Sequence, residues 1–160
     1  MSVPIEDYGL IGNSYTAALV SRAGSIDWLC LPRFDSESVF AALLGDPRHG
    51  RWLIAPEEPP EKSTGRCSRR YRGDTGILET RFETAEGCAT LIDFMPLAES
   101  EDQLELIRLV RGDKGCVRMR TEIVLRFDYG RGIPWVRARM GGPNAVAGPN
   151  ANDPGWSMQA

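Results

Sequence analysis

Val117-Arg118-Met119-Arg120-Thr121-Glu122-Ile123-Val124-Leu125-Arg126-Phe127-Asp128 alternates in character along its whole length. Val117, Met119, Thr121, Ile123, Leu125 and Phe127 hold the odd positions. Arg118, Arg120, Glu122, Arg126 and Asp128 hold even ones, with Val124 the one exception. Successive side chains of a strand point to opposite faces, so this pattern predicts one long strand with a dry face and a wet face. The arginines then line the solvated face. Burying the dry face gains ~1.5–3 kcal/mol per large apolar side chain, and ordering the residues costs a similar amount. The strand therefore needs a second layer packed against it.

The same alternation recurs upstream. Leu78, Thr80, Phe82 and Thr84 alternate with Glu79, Arg81 and Glu83; Ala85-Glu86-Gly87 reads as a turn, and Cys88 to Phe94 returns as the partner strand. Thr16 to Ser21 and Ser25 to Leu31 flank Arg22-Ala23-Gly24 as a second hairpin, with Gly24 placed for positive φ. Leu104 to Arg111 reads as a strand closed by Gly112-Asp113-Lys114-Gly115. Ile133 to Met140 reads as another, and Arg51 to Ala55 and Arg69 to Arg72 as shorter ones. A single helix is predicted over Ser36 to Leu44, with Asp35 as N-cap, Phe34 and Val39 as a hydrophobic staple, and Gly45-Asp46-Pro47 as its stop.

Pro56 to Gly65 reads as a surface loop, because paired prolines do not fit a central strand. Beyond Gly141 the periodicity fades. The expected organisation is a β-sandwich domain over residues 1–140 and a weakly structured tail, or the start of further strands, over 141–160. The fold class is mainly β: an antiparallel β-sandwich, supersandwich-like and incomplete, with one short helix. Seventeen glycines and eleven prolines in 160 residues fit a turn-rich all-β chain.

Net charge is -3, so no global field draws in nucleic acid. The charge is uneven, with Arg108 to Arg139 strongly basic and residues 1–107 acidic. No run of about 18 apolar residues predicts a membrane span, and the N-terminus lacks the basic segment and apolar core of a secretory signal. A cytoplasmic location is expected, with Cys30, Cys67, Cys88 and Cys116 as free, mostly buried thiols. Their wide spacing and the single histidine predict no metal site.

Candidate chemistry is sparse. His49 sits in a turn, so triad machinery has nothing else to run through, and a surface role is expected. Asp7, Asp27, Asp35 and Asp93 lie in or beside apolar stretches, where they cap turns or pair with arginine; Asp93 suits a turn before Met95-Pro96. The densest unusual segment is Gly24-Ser25-Ile26-Asp27-Trp28-Leu29-Cys30-Leu31-Pro32-Arg33-Phe34-Asp35-Ser36. An arginine beside an aromatic ring at a loop tip can bind a sugar, the ring stacking on a pyranose face and the guanidinium donating to hydroxyls. It can equally pack the loop against a neighbouring domain.

This segment, with Ile5-Glu6-Asp7-Tyr8-Gly9-Leu10-Ile11-Gly12-Asn13 and Thr16-Ala17-Ala18-Leu19-Val20-Ser21 before it, resembles the N-terminal domain of bacterial glucoamylase- and trehalase-like enzymes of glycoside hydrolase family 15. Phe40-Ala41-Ala42-Leu43-Leu44-Gly45, Gly50-Arg51-Trp52, Tyr71-Arg72, Asp74-Thr75, Leu78-Glu79-Thr80 and Asp93-Phe94-Met95-Pro96 follow in the order of that family. The resemblance implies a β-sandwich leading into a six-fold α/α barrel, an enzyme that splits trehalose or releases glucose from α-glucosides with inversion, and two barrel glutamates as acid and base. Nothing in this chain corresponds to the barrel.

The expected role is therefore that of a non-catalytic structural domain. It would brace a catalytic α/α barrel of the same polypeptide, with no catalytic residue and no cofactor of its own. Asp27, Trp28, Pro32, Arg33, Phe34 and Asp35 are the candidates for a substrate-facing or domain-interface loop. The alternative is a stand-alone carbohydrate-binding module using Trp28, Trp52, Trp135 or Trp156. Apolar surface left without the barrel predicts a homo-oligomer.

Overall fold

The computed structural model describes residues 3–58, 65–100 and 103–134. Its described strands are β1 (Tyr8–Gly12), β2 (Ala17–Ser21), β3 (Ser25–Cys30), β4 (Ser38–Phe40), β5 (Arg51–Pro56), β6 (Arg66–Tyr71), β7 (Leu78–Glu83), β8 (Gly87–Phe94), β9 (Ile107–Gly115) and β10 (Met119–Val124). All pairings are antiparallel. One sheet runs β1-β2-β3-β5-β10, with the short β4 also on β3; the other runs β6-β7-β8-β9. No helix among the described residues is long and apolar enough to cross a membrane.

The sheets stack face to face, as the need for a second layer predicts. Ile11, Ala18, Val20, Ile26, Leu29 and Phe40 of the first meet Leu78 of the second and Met95 just beyond β8. Ile54 meets Phe82 and Leu91 in a second cluster. Ile26 and Leu29 share the core face although they are three apart in sequence. The reason is a bulge: Val20 pairs Ile26 and Leu19 pairs Trp28, which leaves Asp27 as the extra residue. Trp28 is thereby turned to the outer face of the sheet, beside Leu19.

The two sides of the sandwich differ. At the β1/β6 side the sheets are tied by polar groups. The Tyr71 hydroxyl accepts from the Leu10 N–H and donates to the Leu10 carbonyl, both at 2.9 Å. Arg69 Nη1 donates to the carbonyls of Asp7 and Val20 at 2.8 and 3.0 Å. These ties occupy a strand edge that would otherwise be open to another chain. At the β9/β10 side, Val110 and Ile123 are 47% and 41% exposed.

Both predicted hairpins form, and Gly24 adopts φ +79° at the turn of the first. Four expectations are corrected. First, Ser36 to Leu44 is not a helix: Ser38 and Phe40 pair with Cys30 and Leu29 in β4, and a 3-10 turn covers Ala42–Leu44. Two turns of helix are marginal alone, and the proposed cap is taken, since Asp35 accepts from Arg33. Second, β9 runs on through Gly112 to Gly115, with a bulge opposite Cys88 and Ala89 and the reversal at Gly115, φ +64°. Third, the decisive alternating stretch is a strand only over Met119–Val124, and its core-facing residues are not dry because β10 lies at a sheet edge. Fourth, only Cys30 is buried; Cys67 and Cys88 are partly buried and Cys116 is exposed, and none of the four is in a disulfide.

β1 was not foreseen as a strand. Gly9 and Gly12 weaken its pattern, yet the sheets approach closely at Gly9, where an added Cβ would lie 2.7 Å from Leu78 Cδ2 and make that side chain shift. The expected strand over 133–140, the tail over 141–160, and Trp135 and Trp156 lie outside the described residues, apart from Ile133 and Pro134, which are not in a strand.

Candidate functional site

The candidate residues fall into two places. Asp27 is a carboxylate carried by the β3 bulge and 8% exposed. It accepts the Tyr8 hydroxyl at 2.8 Å and the Ser25 hydroxyl. Burial and the neighbouring carboxylate both push the Tyr8 phenol well above its ordinary range, so the hydroxyl stays a donor. These contacts fix β1 to β3 and leave Asp27 in a structural role. Trp28, beside it, places its ring 6.0 Å from that of Tyr129 at a 37° tilt.

Pro32, Arg33, Phe34 and Asp35 form a tip beyond β3. Leu31 and Pro32 are joined by a cis peptide bond. The Phe34 N–H donates to the Tyr15 carbonyl at 3.1 Å, which ties the tip to the β1–β2 turn. The Arg33 N–H donates to Ser36 Oγ at 3.1 Å, and Arg33 Nε to Asp35 Oδ1 at 3.1 Å. This Arg33 contact is the main reason the Asp35 carboxyl sits below its ordinary range. The Phe34 ring is 62% exposed. The arrangement is an aromatic ring held out to solvent, flanked by a guanidinium and a carboxylate on a loop fixed by main-chain bonds. Such a tip can seat in an apolar pocket or lie under a sugar face.

Under the tip, Asn13 is buried, and its side-chain carbonyl accepts from the N–H groups of Tyr15 and Thr16 at 3.2 and 3.0 Å. Ser14 between them is left-handed at φ +75°. This turn supports the tip through the Tyr15 carbonyl.

His49 has a structural place. Its Nδ1 accepts from the Asp46 N–H at 3.1 Å, closing a capping box over the 3-10 turn Pro47–His49. A side chain at Gly130 would meet the His49 ring at 2.8 Å, so the ring also seats the turn that follows β10.

Asp93 is not a turn former. It lies inside β8, fully buried, against Arg108 of β9, which is also fully buried. Arg108 continues across the core to the carbonyls of Trp52 and Gly24 in the other sheet. Trp52 lies beneath that guanidinium, at 5.3 Å from the ring centroid, and so serves packing. The available signal was a charged residue inside each of two apolar runs, Leu91-Ile92-Asp93-Phe94 and Ile107-Arg108-Leu109-Val110.

Among the described residues no three His, Cys, Asp or Glu side chains gather as metal ligands. Of the two most buried aspartates, Asp27 is engaged by hydroxyls and Asp93 by a guanidinium.

An antiparallel two-sheet sandwich that carries an exposed Arg-aromatic tip defines the class: an all-β domain of two stacked sheets. The chain belongs to the family of trehalase-like N-terminal domains, which matches residues 1–150. It is 38% identical over 135 residues to trehalase 1 of Sulfolobus acidocaldarius, covering 84% of this chain and 22% of that protein. It is 32% identical over 145 residues to the trehalase of Mycolicibacterium smegmatis, covering 80% and 21%. It is 32% identical over 150 residues to the trehalase of Mycobacterium tuberculosis, covering 82% and 21%. The chain thus spans about a fifth of the length of the curated relatives it matches, and these include archaeal as well as bacterial proteins. No solved structure matches it.

Proposed function

We propose that this chain is the N-terminal structural domain of a hydrolase acting on trehalose or a related α-glucoside, as in the glucoamylase- and trehalase-like enzymes. It braces an α/α-barrel catalytic domain of the same polypeptide and works in the cytoplasm. The observation that carries this reading is the family match across a sandwich whose buried aspartates are already used by structural partners. Inverting hydrolysis needs an acid and a water-activating base on opposite sides of one bond, and the reading assigns both to the barrel. The tip at Pro32, Arg33, Phe34 and Asp35 faces that domain near the substrate entrance. Separated from its barrel, the chain self-associates through exposed apolar side chains such as Leu10 and Phe34. Arg33→Ala in the full-length enzyme tests the tip: kcat/KM falls while the melting temperature holds, and unchanged kinetics would remove the role.

A second reading, a carbohydrate-binding module, is favoured by one observation, the exposed Phe34 ring beside Arg33. Calorimetry of the chain with maltose, maltotriose and trehalose separates the two, since millimolar or tighter binding supports the module.

A further inference from the structure

Trp28 is a candidate residue that the tip does not absorb. It pairs opposite Leu19 on the outer face of the first sheet and is half-buried. The Tyr129 ring lies against it, with centroids 6.0 Å apart and planes tilted by 37°. Tyr129 itself is 46% exposed. In the same turn Arg131 Nη1 lies 3.7 Å from Asp128 Oδ2, with both side chains exposed.

The backbone that holds Tyr129 there is strained. Asp128 and Tyr129 have φ +47° and +56°, two successive left-handed residues that are not glycine, and Gly130 follows at +94°. A bulky side chain in that region is an outlier. The turn is fixed from three directions. Phe127 and Gly132 exchange both main-chain hydrogen bonds at 2.9 Å, Ser38 Oγ accepts the Tyr129 N–H at 2.9 Å, and His49 packs against Gly130. Glycine would meet the same geometry at position 129 without strain, so the turn alone does not call for a tyrosine.

We propose that the Trp28–Tyr129 pair is a binding site for an α-linked glucose oligosaccharide, with the rings stacking on pyranose faces and Asp128 and Arg131 bonding to hydroxyls. An aromatic face takes up the C–H face of a sugar. A carboxylate beside a guanidinium supplies the acceptor and the donors that sugar hydroxyls need. Rings tilted by 37° offer two faces at an angle, which suits a chain that turns at each α-linkage better than a flat β-linked one. The strain kept at Tyr129 is then the cost of presenting its ring. The choice of a glucoside rests on the proposed function, while the site is separate from the Phe34 tip.

The test is titration of the 160-residue chain with maltotriose, followed at the Trp28 indole N–H by NMR, with cellotriose as the flat control. Maltotriose shifts that signal and binds more tightly than cellotriose. Tyr129→Gly weakens binding by about tenfold or more while the melting temperature holds or rises. Tyr129→Phe and Phe34→Ala stay within about threefold of wild type, because the ring face at Tyr129 carries the stacking. Binding that survives Tyr129→Gly would overturn the proposal, as would equal affinity for cellotriose. So would a Trp28 signal that moves with protein concentration and not with sugar, since that places a second copy on the rings. Loss of binding in Phe34→Ala alone would overturn the site and leave the proposed function standing at the tip. No binding at all would also overturn it, and the bracing role is then still judged by Arg33→Ala in the full-length hydrolase. Should Tyr129→Gly unfold the chain, Tyr129→Leu decides: lost affinity supports the stacking role and retained affinity overturns it.

Discussion

Arg108 donates from Nε to Asp93 Oδ1 at 2.8 Å with both side chains fully buried. The pair joins β9 to β8, and the rest of the guanidinium reaches carbonyls at Trp52 and Gly24 in the opposite sheet. One side chain thus satisfies an acid in its own layer and two main-chain acceptors in the other. Removing it leaves a buried carboxylate and two carbonyls without their donor. Arg108→Met is expected to cost about 3–5 kcal/mol, read as a shift of the urea midpoint. Asp93→Asn should cost less, because the amide still accepts from Arg108 and the two carbonyls keep their donor. Equal losses in the two variants would show that the cross-sheet bonds contribute nothing.

Gly24 is expected to be intolerant of alanine. Its φ of +79° is a conformation L residues adopt with strain, and the added Cβ would lie 2.2 Å from the Ile54 carbonyl oxygen. The same residue's carbonyl accepts from the Ile54 N–H at 3.0 Å, so the backbone cannot move aside cheaply. Gly24→Ala should lower stability by about 1–3 kcal/mol or more. A melting temperature equal to wild type would refute the turn geometry.

Acid should weaken the fold, and Glu79 should carry part of the effect. Arg72 and Arg70 hold its carboxyl below the ordinary range, and Asp35, Asp46 and Asp113 are held low by Arg33, Arg48 and Thr90 with Arg111. A folded pKa below the unfolded one gives stability that is complete above the unfolded value of about 4 and is lost as pH falls through the folded value. Asp93 acts in the opposite sense: burial pushes its carboxyl up against the pull of Arg108, so its contribution is complete below the unfolded value and is lost as pH rises above it. Melting temperature measured from pH 7 down to pH 3 should fall below about pH 4.5. Glu79→Gln should flatten that fall, and an unchanged acid limb would remove Glu79 from the account.

The hairpins, the two-layer architecture and the exposed tip were legible because each rests on local signals: period two, glycine at turns, and Arg-aromatic neighbours in sequence. What was not legible depends on partners far along the chain. Asp93 finds Arg108 only when β8 and β9 pair, and Asp27 is swallowed by Tyr8 only because a bulge turns it toward β1. The stretch at Ser38–Phe40 has helical spacing, yet a free edge on β3 offers it main-chain bonds that two turns of helix could not match. The tip residues were found by composition, while their fixation by Tyr15 and Ser36 required the fold.

Phe34 gives a sharper test of the tip than charge alone. Its ring is exposed, so Phe34→Ala should change the stability of this domain by less than about 0.5 kcal/mol. In the full-length hydrolase proposed above, the same variant should lower kcat/KM or loosen the proposed contact with the barrel, seen as separate melting transitions. If activity and melting both match wild type, the tip touches neither substrate nor barrel.

On the proposed reading sugar-cleaving chemistry lies outside these residues, and glucose released from trehalose by the purified 160-residue chain measures that directly. No release above the buffer rate is predicted. Sustained release that vanishes on replacing Asp27 or Asp93 with alanine, in variants that still fold, would contradict it.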